Sequence, residues 1–395
     1  MNNKPLIQTT PIFIPKIYDK TIKEMGISFP ALLMESPHVD WHQGVRDEAA
    51  KLTNLLIIDP VTSHLLYPNA RKKVSYKKLP YPADINSEEL FSSQVDRLEK
   101  VIKPSINDQI SKGASIIIAP YFFAVDTDDF KFNLNLTFLS ETITYLEKNN
   151  IDTPIFANIA LGKEALHRSA VLKYIIDLYK DKKELLSGYF ICINDFNAEK
   201  ADLDQLNGIS FLVFNLSDGN DVFVKYAGGF GEVLCAIGAS GFTSGLDGGE
   251  IFSVKNFEKR TKGFGRIGSW TYVSEIFDHV NDTELKKIGY ICNCPYCRGG
   301  LPLRKKEKKL HYLFKKMEAM KAQEHLTRSE KIDYMSKKIQ DAIKQVEFFK
   351  EKYAVPLSSY YLQNWLKVLE NAKNWKHEKV EDTEELNKLL EELRS

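Results

Sequence analysis

Leu55-Leu56-Ile57-Ile58-Asp59-Pro60 is a run of four apolar residues closed by an acid and a turn-forming Asp-Pro step. A run that short, apolar at every position, fits a strand covered on both faces. Seven other stretches share this character: residues 10–15, 31–34, 115–119, 154–159, 188–193, 222–226 and 241–246. Helix-period segments lie between them, for example 163–179 and 230–239. Buried strands that alternate with helical crossovers form a parallel sheet, and eight of them suffice to close a barrel. The competing arrangement is an open, doubly wound sheet, but no Gly-rich dinucleotide fingerprint follows any of these strands. The expected fold is therefore α/β, a (β/α)8 TIM barrel over residues 1–250.

After residue 250 the rhythm changes. Residues 251–335 form a basic stretch with a cysteine cluster, and 336–395 read as a C-terminal helical extension. Within them, 271–279 is expected to be a short helix and 304–350 charge-rich helices. Tyr353-Ala354-Val355-Pro356 breaks the pattern, and helices are expected again at 358–374 and 383–393.

The bulk properties exclude several classes. The 395 residues suffice for one large α/β domain and a smaller one, with 43% hydrophobic and 11% aromatic residues. No apolar run is long enough to cross a bilayer, and residues 1–5 lack a signal-peptide pattern. Lys+Arg of 54 against Asp+Glu of 53 gives no global field, so any nucleic acid would be held by local patches. Few cysteines, mostly clustered, fit a reducing compartment, and a cytoplasmic location is expected.

Three of the five cysteines fall in one hexapeptide, Cys292-Asn293-Cys294-Pro295-Tyr296-Cys297. Thiols spaced C-x-C-x2-C can converge on one centre, and a tetrahedral zinc takes four N/S ligands. His311 and His325 both qualify as the fourth ligand. A disulfide with a spare thiol is the blander alternative.

In such barrels chemistry sits at the C-terminal ends of the strands. That rule selects Glu35 and His38 after the second run, Asp59 after the third, and Tyr121-Phe122-Phe123 with Asp126, Asp128 and Asp129 after the fourth. Asn158 ends the fifth run, Asn194-Asp195 the sixth, and Asp247 with Gly248-Gly249 the eighth. Two carboxylates facing one pocket suit glycosidic-bond chemistry, one attacking or stabilising the sugar and one moving protons. Each aspartate taken singly also suits a turn or a helix N-cap. Basic residues concentrate at 71–78, 255–266 and 298–321, where Lys259, Arg260, Arg304, Lys305 and Lys308 are candidate phosphate contacts. A solvated helix face is the alternative.

A strand-eight aspartate followed by a C-x-C-x2-C knuckle and a later His, on a (β/α)8 barrel, resembles the tRNA-guanine transglycosylase superfamily. Residues 10–15 are similar to that family's first strand, Thr-Pro-Val-Phe-Met-Pro, and Gly188-Tyr189-Phe190-Ile191 to its Gly-Tyr-Ala-Ile strand. The resemblance implies Asp247 as nucleophile, Asp59 as general acid/base, and Asn158, Tyr121 and Asn194 as contacts to the substrate. It also implies a structural zinc on Cys292, Cys294, Cys297 and His325. The loops depart from the tRNA enzymes: Asp59-Pro60-Val61-Thr62-Ser63-His64 stands for Asp-Ser-Gly-Gly-Phe-Gln, and the Pro-Thr-Arg-Asn after the nucleophile is missing. Kept scaffold with rewritten loops is more like the DpdA-type branch, which exchanges guanine in DNA for a 7-deazaguanine base. That branch implies DNA, a 7-cyano-7-deazaguanine-like base and accessory DNA-modification proteins as partners. A tRNA-guanine transglycosylase and a non-catalytic, zinc-containing nucleic-acid-binding subunit are the alternatives.

Overall fold

The computed structural model describes residues 11–17, 26–42, 44–81, 86–245, 251–258, 269–302 and 304–377. Eight strands carry the apolar runs: β1 (Ile12–Ile17), β2 (Leu32–Glu35), β3 (Leu56–Asp59), β4 (Ile117–Ile118), β5 (Ile155–Gly162), β6 (Gly188–Asn194), β7 (Asp221–Lys225) and β8 (Gly241–Gly245). Every described pairing among them is parallel, in the order β3-β2-β1-β8-β7-β6-β5-β4. The two ends of that order meet where the Ser115 amide donates to the Leu56 carbonyl at 2.8 Å. The Leu56 amide in turn donates to the Ser115 hydroxyl at 3.0 Å. The result is the expected α/β barrel, nearly closed.

Strand period decides what fills it. Alternate residues point in opposite directions, so Ile12 and Ile14 of β1, Leu33 of β2, Ile57 of β3, Phe156 and Ala160 of β5, Phe190 of β6 and Phe223 of β7 pack into one interior cluster. Their neighbours, such as Phe13, Leu32, Ile58, Ile159 and Phe242, pack outward against helices. Those helices include Phe130–Lys148, Ser169–Lys180, Leu203–Leu216 and Phe230–Ile237. Asp129 and Asp202 are N-caps, accepting from the amides of Lys131 and Gln205. Asp126 is ion-paired with Arg168 at 2.9 Å. For Asp126 and Asp129 the structural explanation suffices.

Residues 271–279 are not a helix. They lie in an antiparallel hairpin of β9 (Trp270–Val273) and β10 (Asp278–Asn281). Trp270, Thr271, Tyr272 and Val273 are aromatic or β-branched and favour a pleated surface over a helix. Phe277, at φ 58°, turns the chain between the two strands. The charge-rich region forms helices Lys305–Lys321 and Arg328–Tyr353, and the chain breaks after Tyr353 before helix Tyr360–Ala372. The expected helix at 383–393 lies outside the described residues. Arg328–Tyr353 packs on Phe230–Ile237, and Tyr360–Ala372 packs on Leu203–Leu216, so these C-terminal helices thicken the barrel's outer layer. No helix among the described residues is long and apolar enough to cross a membrane.

One buried cluster fastens this layer. Glu232, on Phe230–Ile237, meets Lys316 at 3.1 Å and Lys338 at 3.0 Å, from two different C-terminal helices. Burial raises the Glu232 pKa, but the two ammonium groups outweigh it and leave the carboxyl below its usual range. A depressed carboxylate contributes stability that is complete above its unfolded pKa and lost as pH falls through the folded one. Glu232→Ala leaves Lys316 buried without its counter-charge, and should cost about 3–5 kcal/mol. Urea denaturation checks this; an unchanged midpoint means the cluster contributes nothing net.

Candidate functional site

The interior alternation that begins with apolar residues ends in charges at the C-terminal mouth. Lys16 follows Ile12 and Ile14 on β1, Glu35 follows Leu33 on β2, Asp59 follows Ile57 on β3, and Lys225 follows Phe223 on β7. All four are buried. Register sets Glu35 directly beside Asp59. Isolated charges cannot sit in such a place, so each acid is paired. Asp59 meets Lys225 at 2.7 Å, and Glu35 meets Lys16.

Asp59 is further fixed by its surroundings. The Val61 amide donates to its Oδ1 at 3.0 Å, from a residue with φ 47° just past the Asp-Pro step. The Tyr121 hydroxyl donates to both carboxylate oxygens, at 3.1 and 3.3 Å. Burial, then the Asp59 charge, pushes the Tyr121 pKa well up, so the phenol keeps its proton and remains a donor. Thr62 ties the loops after β3 and β4 together, donating to the Tyr121 carbonyl at 2.8 Å and accepting from the Tyr121 amide at 2.9 Å. The Lys225 ammonium also lies over the Tyr121 and Phe190 rings, at 4.9 and 5.0 Å. Tyr121 thus positions the carboxylate.

The second pair has its own frame. Lys16 bonds the Tyr226 hydroxyl as well as Glu35, and His38 Nδ1 lies 3.2 Å from Glu35. Burial opposes ionisation of Glu35, but Lys16 and then His38 hold its pKa well below the usual value. His64 Nδ1 is 2.6 Å from the Tyr76 hydroxyl. Burial lowers the His64 pKa to about 4, so the ring is neutral at pH 7. Cys192, also inside the barrel, has its thiol pushed up to about 12 by burial and is no nucleophile.

Of the substrate contacts expected from sequence, Asn158 is buried inside the barrel with neither amide atom hydrogen-bonded. A buried, unpaired amide is costly and calls for a partner. Asn194 is already engaged: its Oδ1 accepts from the Val254 amide at 2.8 Å. Asp247 lies outside the described residues, although β8 ends two positions before it, at Gly245. Sequence reasoning picked out Asp59 and Glu35 but missed Lys16 and Lys225. The inward alternation Ile12, Ile14, Lys16 and Phe223, Lys225 was the available signal.

Residues 251–258 run across this mouth. The Phe252 carbonyl accepts from the Asp195 amide at 2.8 Å, and Lys255 pairs with Asp195 at 2.9 Å. Phe252 itself is buried against the interior cluster. Its ring stacks on Phe123 (centroids 4.4 Å, planes 13° apart) and on His64 (5.7 Å, 13°).

A second centre lies beyond the barrel strands. Cys292, Cys294, Cys297 and His311 bring four ligand atoms within 4.8 Å of one another, all on buried side chains. The fourth ligand is therefore His311, correcting His325. His325 lies past the end of helix Lys305–Lys321 at φ 65°, with its side chain 85% exposed. His311, on that helix, faces the three sulfurs at 3.5, 3.4 and 3.3 Å. These are edge lengths of a tetrahedron with metal–sulfur bonds of about 2.3 Å and a metal–nitrogen bond of about 2.0 Å, so the donor set fits a metal ion. His311 Nε2 is 2.8 Å from the Tyr272 carbonyl, which makes it the protonated nitrogen and leaves the Nδ1 lone pair for the metal. The cysteine turn is closed by the Cys292 amide donating to Gly300 and the Gly299 amide donating to Cys292.

Arg304 and Lys305 are exposed where helix Lys305–Lys321 begins. Lys308 is not a free phosphate contact. Its ammonium lies 2.6 Å from Asp282 and also bonds Ser269 and the Trp270 carbonyl, so it fastens the helix to the hairpin. Lys259 and Arg260 lie outside the described residues.

No family model matches this chain, and no curated protein matches it. Among solved structures, the carboxyl transferase domain of Rhizobium etli pyruvate carboxylase with pyruvate is similar at 9% identity and a TM-score of 0.36. The match covers 93% of this chain and 61% of that one, so the chain spans about three-fifths of its length. A likeness that loose identifies neither substrate nor reaction.

Proposed function

We propose that the protein is a base-exchange transglycosylase that replaces guanine in DNA with a 7-deazaguanine base of the 7-cyano-7-deazaguanine kind. The observation that carries the reading is the Asp59–Lys225 pair, buried at the C-terminal end of the barrel, with the unpartnered Asn158 amide facing the same interior from β5. Glycosidic exchange needs a group that moves a proton at the base and a second carboxylate at C1′. In the first half, Asp247 attacks C1′ and the bond from C1′ to guanine N9 breaks. The electron pair goes to N9, which takes a proton delivered through the Asp59–Lys225 pair. In the second half, the incoming base loses its N9 proton to the same pair and its nitrogen displaces Asp247 from C1′. The proton inventory of the enzyme is restored. The target nucleotide must leave its stack to present C1′.

The Cys3His centre is assigned zinc, since three thiolates and one imidazole are the donors that metal prefers. With four protein ligands its role is structural, holding helix Lys305–Lys321 against the hairpin. Arg304 and Lys305 then stand on a fixed surface as contacts to DNA phosphates. The choice of DNA rests on the rewritten loops after β3 and β8.

Supplying labelled 7-cyano-7-deazaguanine with duplex DNA or with tRNA tests the proposal. Label is expected in DNA. Label in tRNA alone transfers the assignment to a tRNA enzyme, and label in neither polymer, with the bound metal intact, removes the transglycosylase reading.

A further inference from the structure

The ring of Phe252 sits where the chemistry would be. It comes from the irregular stretch 251–254 that leads into the short helix Lys255–Glu258, rather than from a barrel strand. The bonds that tie that segment to the barrel include those from the Asp195 amide and to the Asn194 side chain, and a Lys255–Asp195 pair whose lysine is 73% exposed and which is weak by itself. The same barrel interior also holds Asp59, Lys225, Glu35, Lys16 and the unpaired Asn158 amide, so it is not purely apolar. An aromatic ring needed only for packing gains nothing from capping buried charges. Phe123 and His64, each within 13° of parallel to Phe252, offer flat walls to any planar ring in its place.

We infer that Phe252 is a built-in occupant of the site for a planar heterocyclic ring, which binds against Phe123 and His64 after Phe252 withdraws. On the reading above that ring is the exchanged base, and the inference rests on that reading for the identity of the ring alone. His64 suits the role because it is neutral at pH 7 and presents a π-face without a charge. Asn158 supplies two donors and an acceptor to the edge of a ring carrying amide-like groups. Binding is then a competition: the apparent affinity for the ring is reduced by the fraction of molecules in which Phe252 has left.

The test is calorimetric titration of the full chain with guanine and with 7-cyano-7-deazaguanine. Phe252→Ala should bind at least one of these rings about tenfold tighter than the wild type, because the competing ring is gone. Adding Phe123→Leu to that variant should cancel most of the gain. Should Phe252→Ala fold poorly, hydrogen exchange in the wild type gives the same answer. Free base should speed exchange of the Val254 amide, whose bond to Asn194 breaks as the segment lifts. Equal or weaker binding by folded Phe252→Ala, or a Val254 amide unmoved by saturating base, overturns the inference. Tighter ring binding without label transfer to any polymer would instead defeat the transglycosylase reading and leave this one standing.

Discussion

Asp59→Asn is expected to cut base exchange by about 10²–10⁴-fold, the range for loss of a positioned acid/base group. The amide keeps the size of the carboxylate, so Val61 and Tyr121 retain an oxygen to bond. What disappears is the charge opposite Lys225, which the barrel buries almost completely. Removing one member of a buried pair strands the other, at about 3–5 kcal/mol. Activity and stability will therefore fall together, and the single variant cannot separate chemistry from folding. Asp59→Asn combined with Lys225→Met can. The double variant removes both charges and should recover most of the lost stability in urea, while exchange stays at the level of the single variant or below. Recovery of exchange in the double variant would show that Asp59 serves only to neutralise Lys225. A double variant no more stable than Asp59→Asn would mean that the cost lies in the bonds to Tyr121 and Val61.

The barrel was legible because its strands are buried on both faces, which writes them as apolar runs, several with a polar residue at the C-terminal end. That polar residue marked Glu35, Asp59 and Asn194 without a structure, whereas Asn158, expected at the end of the fifth strand, lies in the middle of β5, which runs on to Gly162. The partners were not legible, since Lys225 pairs with a residue from the far side of the chain and only closure of the barrel brings them together. The fourth metal ligand failed for a related reason. His311 lies on helix Lys305–Lys321 and His325 just past its end, and spacing from Cys297 admits both. The choice depends on how that helix docks, which Lys308–Asp282 and Lys316–Glu232 decide through residues of the hairpin region and the barrel helix. The hairpin was misread because residues 271–279 are too short for periodicity to separate strand from helix. Its aromatic and β-branched residues carried the better signal.

His311→Ala is expected to release the metal, and His325→Ala to leave it in place, each read as metal bound per chain by mass spectrometry. The difference follows from position: His311 is fully buried against the three sulfurs, whereas the His325 side chain is 85% exposed. Cys294→Ser should also empty the site, because a hydroxyl is a poor substitute for a thiolate toward a soft-ligand metal. Structural zinc sites carry an apparent binding free energy of about 10–16 kcal/mol that is coupled to folding. Apart from the metal, the cysteine turn is held by its own short backbone bonds and by the packing of its sulfurs against Tyr290, Tyr296 and Phe314. Hydrogen exchange should therefore rise by orders of magnitude at residues 292–300 and in the first turns of helix Lys305–Lys321. It should rise less at β9, where His311 now holds the Tyr272 carbonyl. The far end of the same helix should stay protected, since Lys316 remains paired with Glu232 on the barrel. Protection lost along the whole helix would mean the metal, not the ion cluster, fastens the C-terminal layer. Metal retained by His311→Ala and lost by His325→Ala would overturn the assignment of the fourth ligand.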